Sequence, residues 1–337
     1  MIFLISFILS IAILLWTISN GNKFSINSVL LNLMVAIGNG GHYALYCSTK
    51  LEEAVLANKI IYLIGIFVPL LLFLTIGELC KVKIHPLLTT ALFTLQLLIY
   101  GCVCSTGHNS LFYKTVEIHF VDGHAYLTKT YGPVHTLYLL TLLLYMMAGI
   151  IVTFIARSHK NVVSSRIVDS LIFTYLITVV YYLGERLLHI KTDYMSICLT
   201  LAVFVAIVAI TRFHRYSISE NNELLSRRMN STGYIIFSKK LCYMNSNSFA
   251  AELFPELTEW EIDKKIPGNG ARFNTYLRQP FMRFVNDPQN ESLSKKTFSI
   301  KDKHYRLLFD CMKNHYGRVY GYVIGIEDIT NIIDKSE

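Results

Sequence analysis

Charge is scarce in this chain. Of its 337 residues only 16% are Asp, Glu, Lys or Arg, against 53% hydrophobic, and the mean hydropathy is +0.43. Soluble globular proteins carry about 25% charged residues, so the composition argues against an ordinary water-soluble enzyme. No glycine-rich phosphate loop or nucleotide-binding constellation occurs, which removes the usual signatures of ATP or GTP chemistry. The first apolar run lacks a basic leader and a small-residue cleavage site, so it reads as a retained span and not a signal peptide. Neither an internal repeat nor a charge pair at the middle of an apolar segment is visible. A transporter or membrane enzyme, the alternative to a receptor, would be expected to show them. The net charge of +8 divides into +4 on each side of residue 211 without a basic stripe, so no nucleic-acid partner is implied.

The charges present fall in a step. Residues 1–211 hold 20 charged side chains, 12 basic and 8 acidic, and residues 212–337 hold 34, 19 basic and 15 acidic. The first part is too poor in charge for water, and the second has the composition of a small soluble domain. Crossing about 30 Å of hydrocarbon takes roughly 20 apolar residues. That rule predicts seven spans, near 2–19, 25–47, 56–80, 86–104, 133–156, 167–188 and 194–212. Asn27, Asn32, Asn39 and His42 interrupt the second, whereas Met195 to Ile210 contains no charge.

Lysine and arginine in short loops set orientation. One set of loops carries Lys23, Lys81, Lys83, Arg157, Lys160, Arg166, Arg212 and Arg215 with no acid. On the other side Lys50, Lys59, Lys114, Lys129, Arg186 and Lys191 are matched by six acids. The wholly basic side is expected in the cytoplasm of a multi-pass plasma-membrane protein, with the N-terminus outside and the C-terminal domain inside. The longest outer loop is 105–132, where Thr115–Val121 and His124–Thr130 alternate about Asp122-Gly123. Asp-Gly between alternating runs predicts a β-hairpin, at about 113–131. A lone hairpin is marginal in water, so it should rest on the helices or on a partner.

Residues 213–230 read as a linker helix, with Leu224, Leu225 and Met229 at helical spacing. Strands are predicted over Thr232–Phe237 and Leu241–Met244, and a helical patch over Asn247–Leu257. A further helix is expected near Tyr276–Val285, then strands at Lys296–Ile300, His304–Met312 and Arg318–Glu327. Two strands, helices and three antiparallel strands make a small α+β domain.

Gly321-Tyr-Val-Ile-Gly-Ile-Glu-Asp-Ile-Thr330 resembles the last strand of a PAS domain. Gly233-Tyr-Ile-Ile-Phe and Asn245-Ser-Asn-Ser-Phe-Ala-Ala resemble its opening strands and first helix. The membrane half resembles the seven-helix N-terminal sensor region of bacterial histidine kinases. That likeness is carried by Glu52-Glu-Ala-Val-Leu-Ala-Asn-Lys59, the outer hairpin and Tyr131-Gly-Pro133. The expected fold is therefore a mainly α membrane protein: a seven-helix bundle over 1–212, a linker over 213–230 and a cytoplasmic PAS domain over 231–330. The resemblance implies a sensor in which a ligand-induced change in the bundle passes through span seven and PAS to an output. Only seven residues, 331–337, follow Thr330, too few for a kinase core or a cyclic-dinucleotide synthase. The sequence is thus expected to be either a truncated receptor or one serving a separate kinase or cyclase partner. The linker and PAS would pair two copies as a homodimer.

The candidate ligand residues are Glu185, Arg186 and His189 near the outer end of span six, with Tyr182, and His42 in span two. Ionisable groups at membrane depth usually face the interior and mark function, although side chains this close to the boundary also snorkel to water. They suit a small-molecule or peptide ligand at the outer side. Glu78 is expected to pair with Lys81 or a lipid head group. Gly38, Gly40 and Gly41 suggest close helix packing. His119 and His124 lie on opposite hairpin strands, where one ion is reachable from both, but no third ligand accompanies them, so no metal is expected. Cys47, Cys102, Cys104 and Cys198 fall near outer helix ends, and spacing assigns them no pairing. Gly268-Asn-Gly-Ala-Arg-Phe273 has the outline of a flavin-binding light-sensor motif, but Ala271 stands where the reactive cysteine would be. No histidine is placed as a haem ligand. No cofactor is expected.

Overall fold

The computed structural model describes residues 1–19, 24–121, 123–158, 164–187, 195–216, 232–268, 270–300, 302–313 and 317–330. The chain divides into two units, residues 1–156 with 167–211, and residues 157–166 with 212–337. Seven long helices occur among the described residues: α1 (Ile2–Ser19), α2 (Ile26–Cys47), α3 (Leu51–Leu79), α4 (Pro86–Cys104), α5 (Pro133–Ser158), α6 (Ser165–Leu187) and α7 (Met195–Arg215). Of these, α1, α3, α4 and α5 are long and apolar enough to cross a membrane, and Ser196–Arg212 within α7 is apolar over a shorter stretch.

The first unit is built inside out. Ile5, Ile8, Leu97, Leu98, Leu143, Phe154, Phe173, Val180 and Phe204 are exposed, while Ser6, Asn32, Asn39, Asn58, Gln96, Thr153 and Thr200 are buried. In water this arrangement wastes the hydrophobic effect. In lipid it is the stable one, because polar groups must find partners within the protein. Thr17 and Thr153 accordingly return their hydroxyls to the carbonyls of Ile13 and Gly149. Gln96 donates to the Tyr145 hydroxyl at 2.7 Å. Two of the asparagines that interrupt the second apolar run are therefore interior: Asn32 donates to the Ser28 carbonyl at 2.8 Å and Asn39 to the Thr200 hydroxyl at 2.8 Å.

The helix ends follow from local chemistry. Ser25 caps α2 by accepting from the Ser28 amide. Glu53 closes the start of α3 by accepting from the amides of Thr49 and Lys50. The end of α3 is a Schellman turn, with Lys81 at φ 56°, Val82 N donating to Gly77 O and Lys81 N to Glu78 O. The Glu78 carboxylate accepts from Asn27 at 2.6 Å, a partner that sequence reasoning did not name.

Helix α2 is unbroken through its glycines, which hold it against its neighbours. A Cβ at Gly38 would lie 2.2 Å from Ile64, and one at Gly41 would lie 3.0 Å from the Ile61 backbone nitrogen and 3.1 Å from the Ala57 carbonyl. Backbone atoms cannot rotate away. Gly41→Ala is therefore expected to cost about 1–3 kcal/mol, read as a lower unfolding midpoint in detergent. Gly101→Ala, which meets nothing within 4 Å, should be neutral or stabilising.

Between α4 and α5 the chain forms the hairpin β1 (Tyr113–Val121) and β2 (His124–Tyr131), antiparallel with Val121 opposite His124 and Tyr113 opposite Tyr131. Gly123 takes φ 79° at the tip. The hairpin rests on the bundle through buried Tyr113 and Ala125.

In the second unit β3 (Gly233–Ser238), β4 (Tyr243–Ser246), β5 (Lys295–Ile300), β6 (Lys303–Lys313) and β7 (Val319–Asp328) form one antiparallel sheet in the order β4-β3-β7-β6-β5. All six residues of β3 are buried, which explains why Gly233-Tyr-Ile-Ile-Phe does not alternate. Helix α8 (Ser248–Leu253) and α9 (Gln279–Asn286), the latter preceded by a π-helical turn at Asn274–Arg278, cover one face. Phe237, Phe254, Phe273 and Phe281 fill that core and are fully buried. The patch expected as one helix over Asn247–Leu257 is two pieces, because Pro255 ends α8 and opens a 3-10 turn at Pro255–Thr258. Most of the linker over 213–230, and the tail 331–337, fall outside the described residues.

Two further features organise this unit. Asp263, 3% exposed and at φ 71°, accepts from the Ser164 hydroxyl at 2.6 Å and pairs with the Arg212 guanidinium. At the sheet's end, Asp328 accepts from the Thr330 hydroxyl at 2.6 Å and amide at 3.0 Å, while His304 N donates to the Thr330 hydroxyl. The Thr330 hydroxyl, then its amide and Lys303, hold the Asp328 carboxyl below its ordinary value. A depressed carboxylate stabilises above its unfolded pKa, and that contribution disappears as pH falls through the folded value. Thr330→Val should move the Asp328 titration up toward the ordinary carboxylate range, as followed by its carboxyl carbon shift.

Candidate functional site

Chemistry-bearing side chains gather where the hairpin meets α2, α3 and α5. The gathering begins with local spacing. Asn58 and Tyr62 are four residues apart and share one face of α3, and His135 and Tyr138, three apart, share a face on the first turns of α5. Phe112 and Tyr113 enter the hairpin and Tyr131 leaves it, so antiparallel pairing returns Tyr131 to Tyr113.

The join is tight. Gly132 N donates to Phe112 O at 2.8 Å and Val134 N to Leu111 O at 3.0 Å. Pro133 then starts α5. The result is an aromatic wall. Tyr62 meets Phe112 at 4.9 Å, Tyr113 at 5.9 Å and Tyr138 at 5.6 Å between ring centroids, all edge to face. Tyr131 stacks on His135 at 3.8 Å. Phe112 and Tyr113 are buried, Tyr62 is half-buried and Tyr131 is exposed. Burial pushes the Tyr113 phenol up, so it is neutral across the physiological range.

Into this wall reaches Lys129 of β2. Its ammonium donates to Asn58 Oδ1 at 2.7 Å and stands 5.8 Å from the Tyr62 ring and 5.7 Å from the Tyr113 ring. Asn58 is 2% exposed. A cation, two aromatic faces and one amide carbonyl form a box suited to an ammonium group.

A second anchor lies at the other end of β2. His124 stacks on Tyr46 with centroids 3.6 Å apart, and the Tyr46 hydroxyl lies 2.6 Å from His124 Nε2. One helical turn earlier, His42 is buried and lies parallel to the Phe3 ring at 6.0 Å.

Of the residues singled out from sequence, His42 is buried in α2 against Phe3 of α1. Tyr182, Glu185 and Arg186 fall within α6, but their side chains lie outside what is described, and His189 lies outside the described residues. His119 and His124 are not brought together. In the register His119 faces Tyr126, on which it stacks, and His124 faces Val121. Among the described residues no group of three His, Cys, Asp or Glu side chains is arranged to hold a metal. The described cysteines are all free thiols.

Lys129, Asn58, Tyr62, Tyr113 and Tyr138 were not singled out as site residues from sequence. The available signal was the density of aromatic residues on either side of the hairpin, Phe112-Tyr113 and Tyr131 through Tyr138. Nothing local pairs Lys129 with a residue 71 positions away.

A family model described as the N-terminal 7TM region of histidine kinase matches residues 2–219, about two thirds of the chain. No curated protein matches the chain.

Proposed function

The chain belongs to the family of N-terminal seven-transmembrane regions of histidine kinases, and from that premise we propose that it is a receptor that binds a ligand at the outer side of a plasma membrane. The observation carrying this reading is the inside-out packing of the first unit, crowned by a hairpin whose base lines an aromatic and polar site. In the proposed topology the chain crosses seven times, with the hairpin outside and residues 232–330 in the cytoplasm, and the all-basic loop set supports it.

The second unit is read as a PAS relay. Its order of two strands, helices and three antiparallel strands supports this, as does the Asp328-Ile329-Thr330 ending locked to His304. Phenylalanines fill its core, which favours a relay without a prosthetic group. The bundle has two arrangements in this mechanism, and a ligand shifts them by binding one more tightly. The change travels along α7 to the PAS unit, and from there to a kinase- or cyclase-type output. Two copies pair through the linker and the PAS unit.

Topology is tested by alkaline phosphatase fusions. Fusion at Gly123 should be active and fusions at Asn20 and Asn161 inactive; the opposite pattern refutes the orientation. The relay is tested by joining residues 1–330 to a histidine kinase core. Autophosphorylation that no substitution at the hairpin end alters would remove the sensor reading.

A further inference from the structure

We propose that the box around Lys129 is a binding site for a primary alkylammonium ligand, and that the Lys129 side chain occupies it as a resident stand-in until such a ligand displaces it. The inference rests on the receptor reading above and names the ligand chemistry of that same site.

Three features carry it. The Lys129 ammonium meets the recognition elements such a ligand would use, two tyrosine faces at 5.7 and 5.8 Å and the Asn58 carbonyl at 2.7 Å. The box is prepared independently of Lys129: Asn58 is 2% exposed on α3, Tyr113 is packed against Phe112 and Tyr131, and Tyr62 against Tyr138. Finally, the occupant sits on the hairpin and the acceptor on a long apolar helix. Exchanging one ammonium for another would therefore release a contact between β2 and α3. That supplies the differential interaction a switch needs.

The acceptor decides the ligand class. Asn58 Oδ1 takes a hydrogen bond from the ammonium, which a primary amine can donate and a quaternary ammonium cannot. The tyrosine faces favour positive charge over a neutral group of the same shape. The box favours a cation over a carboxylate, since its two ring faces and the Asn58 carbonyl oxygen already surround an ammonium group.

The test uses the full chain in lipid nanodiscs, with n-butylammonium as probe, n-butanol as its neutral counterpart and tetramethylammonium as the cation lacking N–H. Wild-type protein should bind n-butylammonium saturably and in preference to both others. Lys129→Ala removes the competing side chain and should bind it about tenfold tighter, because the fraction of open sites no longer limits affinity. Asn58→Leu in the Lys129→Ala background should abolish the preference for n-butylammonium over tetramethylammonium. Equal binding of n-butanol, or no gain in affinity from Lys129→Ala, overturns the proposal.

If Lys129→Ala does not fold, Lys129→Arg keeps a resident cation and should bind the probe no more tightly than wild type. The wild-type preference for n-butylammonium over n-butanol then decides. Binding without any change in autophosphorylation of the kinase fusion would leave the ligand class standing and remove the receptor reading. A fusion that responds to hairpin substitutions while n-butylammonium fails to bind would do the reverse.

Discussion

Asp263→Ala should speed amide hydrogen exchange in Glu261–Lys265 and in β4 by roughly thirtyfold. The Asp263 carboxylate is 3% exposed and satisfies two groups, the Ser164 hydroxyl and the Arg212 guanidinium. Removing it strands a hydroxyl on a residue that is itself 3% exposed. The Arg212 side chain is 40% exposed, so water recovers part of its loss and the full cost of breaking a buried ion pair does not apply. About 2 kcal/mol is a reasonable total, and each 1.36 kcal/mol is a decade in the opening equilibrium. Exchange in this segment reports the loss directly, because Asp263 N donates to Tyr243 O and Tyr243 N to Lys264 O.

The backbone offers an internal control. At φ 71° Asp263 is left-handed, a conformation that costs alanine about 1 kcal/mol more than glycine and that asparagine tolerates. Asp263→Asn keeps the conformation and one acceptor oxygen but loses the charge, and should lie between wild type and Asp263→Ala. If Asp263→Gly exchanged as slowly as wild type, the pairing would contribute nothing and the effect of alanine would be backbone strain alone.

The second large effect is expected at Gly132. A Cβ there would fall 2.3 Å from the Leu111 carbonyl and 2.4 Å from the Ser110 carbonyl. These are backbone oxygens, so no rotamer change relieves the clash. Relief means parting the strands at the hairpin's base, which breaks Gly132 N to Phe112 O and Val134 N to Leu111 O. Gly132→Ala should therefore cost about 3 kcal/mol or more. It should uncover Phe112 and Tyr113, and it should raise hydrogen exchange along β1. Gly123, at the other end of the hairpin, makes the comparison. It has φ 79° but nothing within 4 Å of a Cβ, so Gly123→Asn should be nearly neutral. Comparable losses at both positions would mean that the clash at the base is not what decides stability there.

Much of the architecture was legible because it repeats locally. Seven apolar runs became seven helices, their boundaries shifted by a few residues at most except at the start of α3, since a run long enough for lipid is also long enough to form a helix. That helix begins at Leu51, where Glu53 closes it, and not near residue 56. Asp122-Gly123 between alternating strands placed the hairpin, and its ends at Tyr113 and Tyr131 match the expected 113–131. The strands of the second unit could be read to within a residue or two, whereas the Pro255 break in the helical patch was not.

The site was far less legible. Charge near the end of a span drew attention to Glu185, Arg186 and His189, because an ionisable group at membrane depth is costly by itself. The described site depends on groups that are unremarkable alone. Lys129 reads as one more outer-loop charge, Asn58 as a polar residue at a helix start, and Tyr62 as an interface aromatic. Their meeting joins positions 71 apart. Asp263 was not singled out either: its partners lie 51 and 99 residues away, and its left-handed backbone leaves no trace in composition or periodicity.

What the sequence determined alone is therefore what short-range physics controls: which segments avoid water, where they turn, and which family the chain belongs to. Tertiary structure decided which polar groups meet. Burial obliges each of them to find a partner, but the choice of Asn58 for Lys129 and of Arg212 and Ser164 for Asp263 is made by the packing of distant elements, and no local signal encodes that choice.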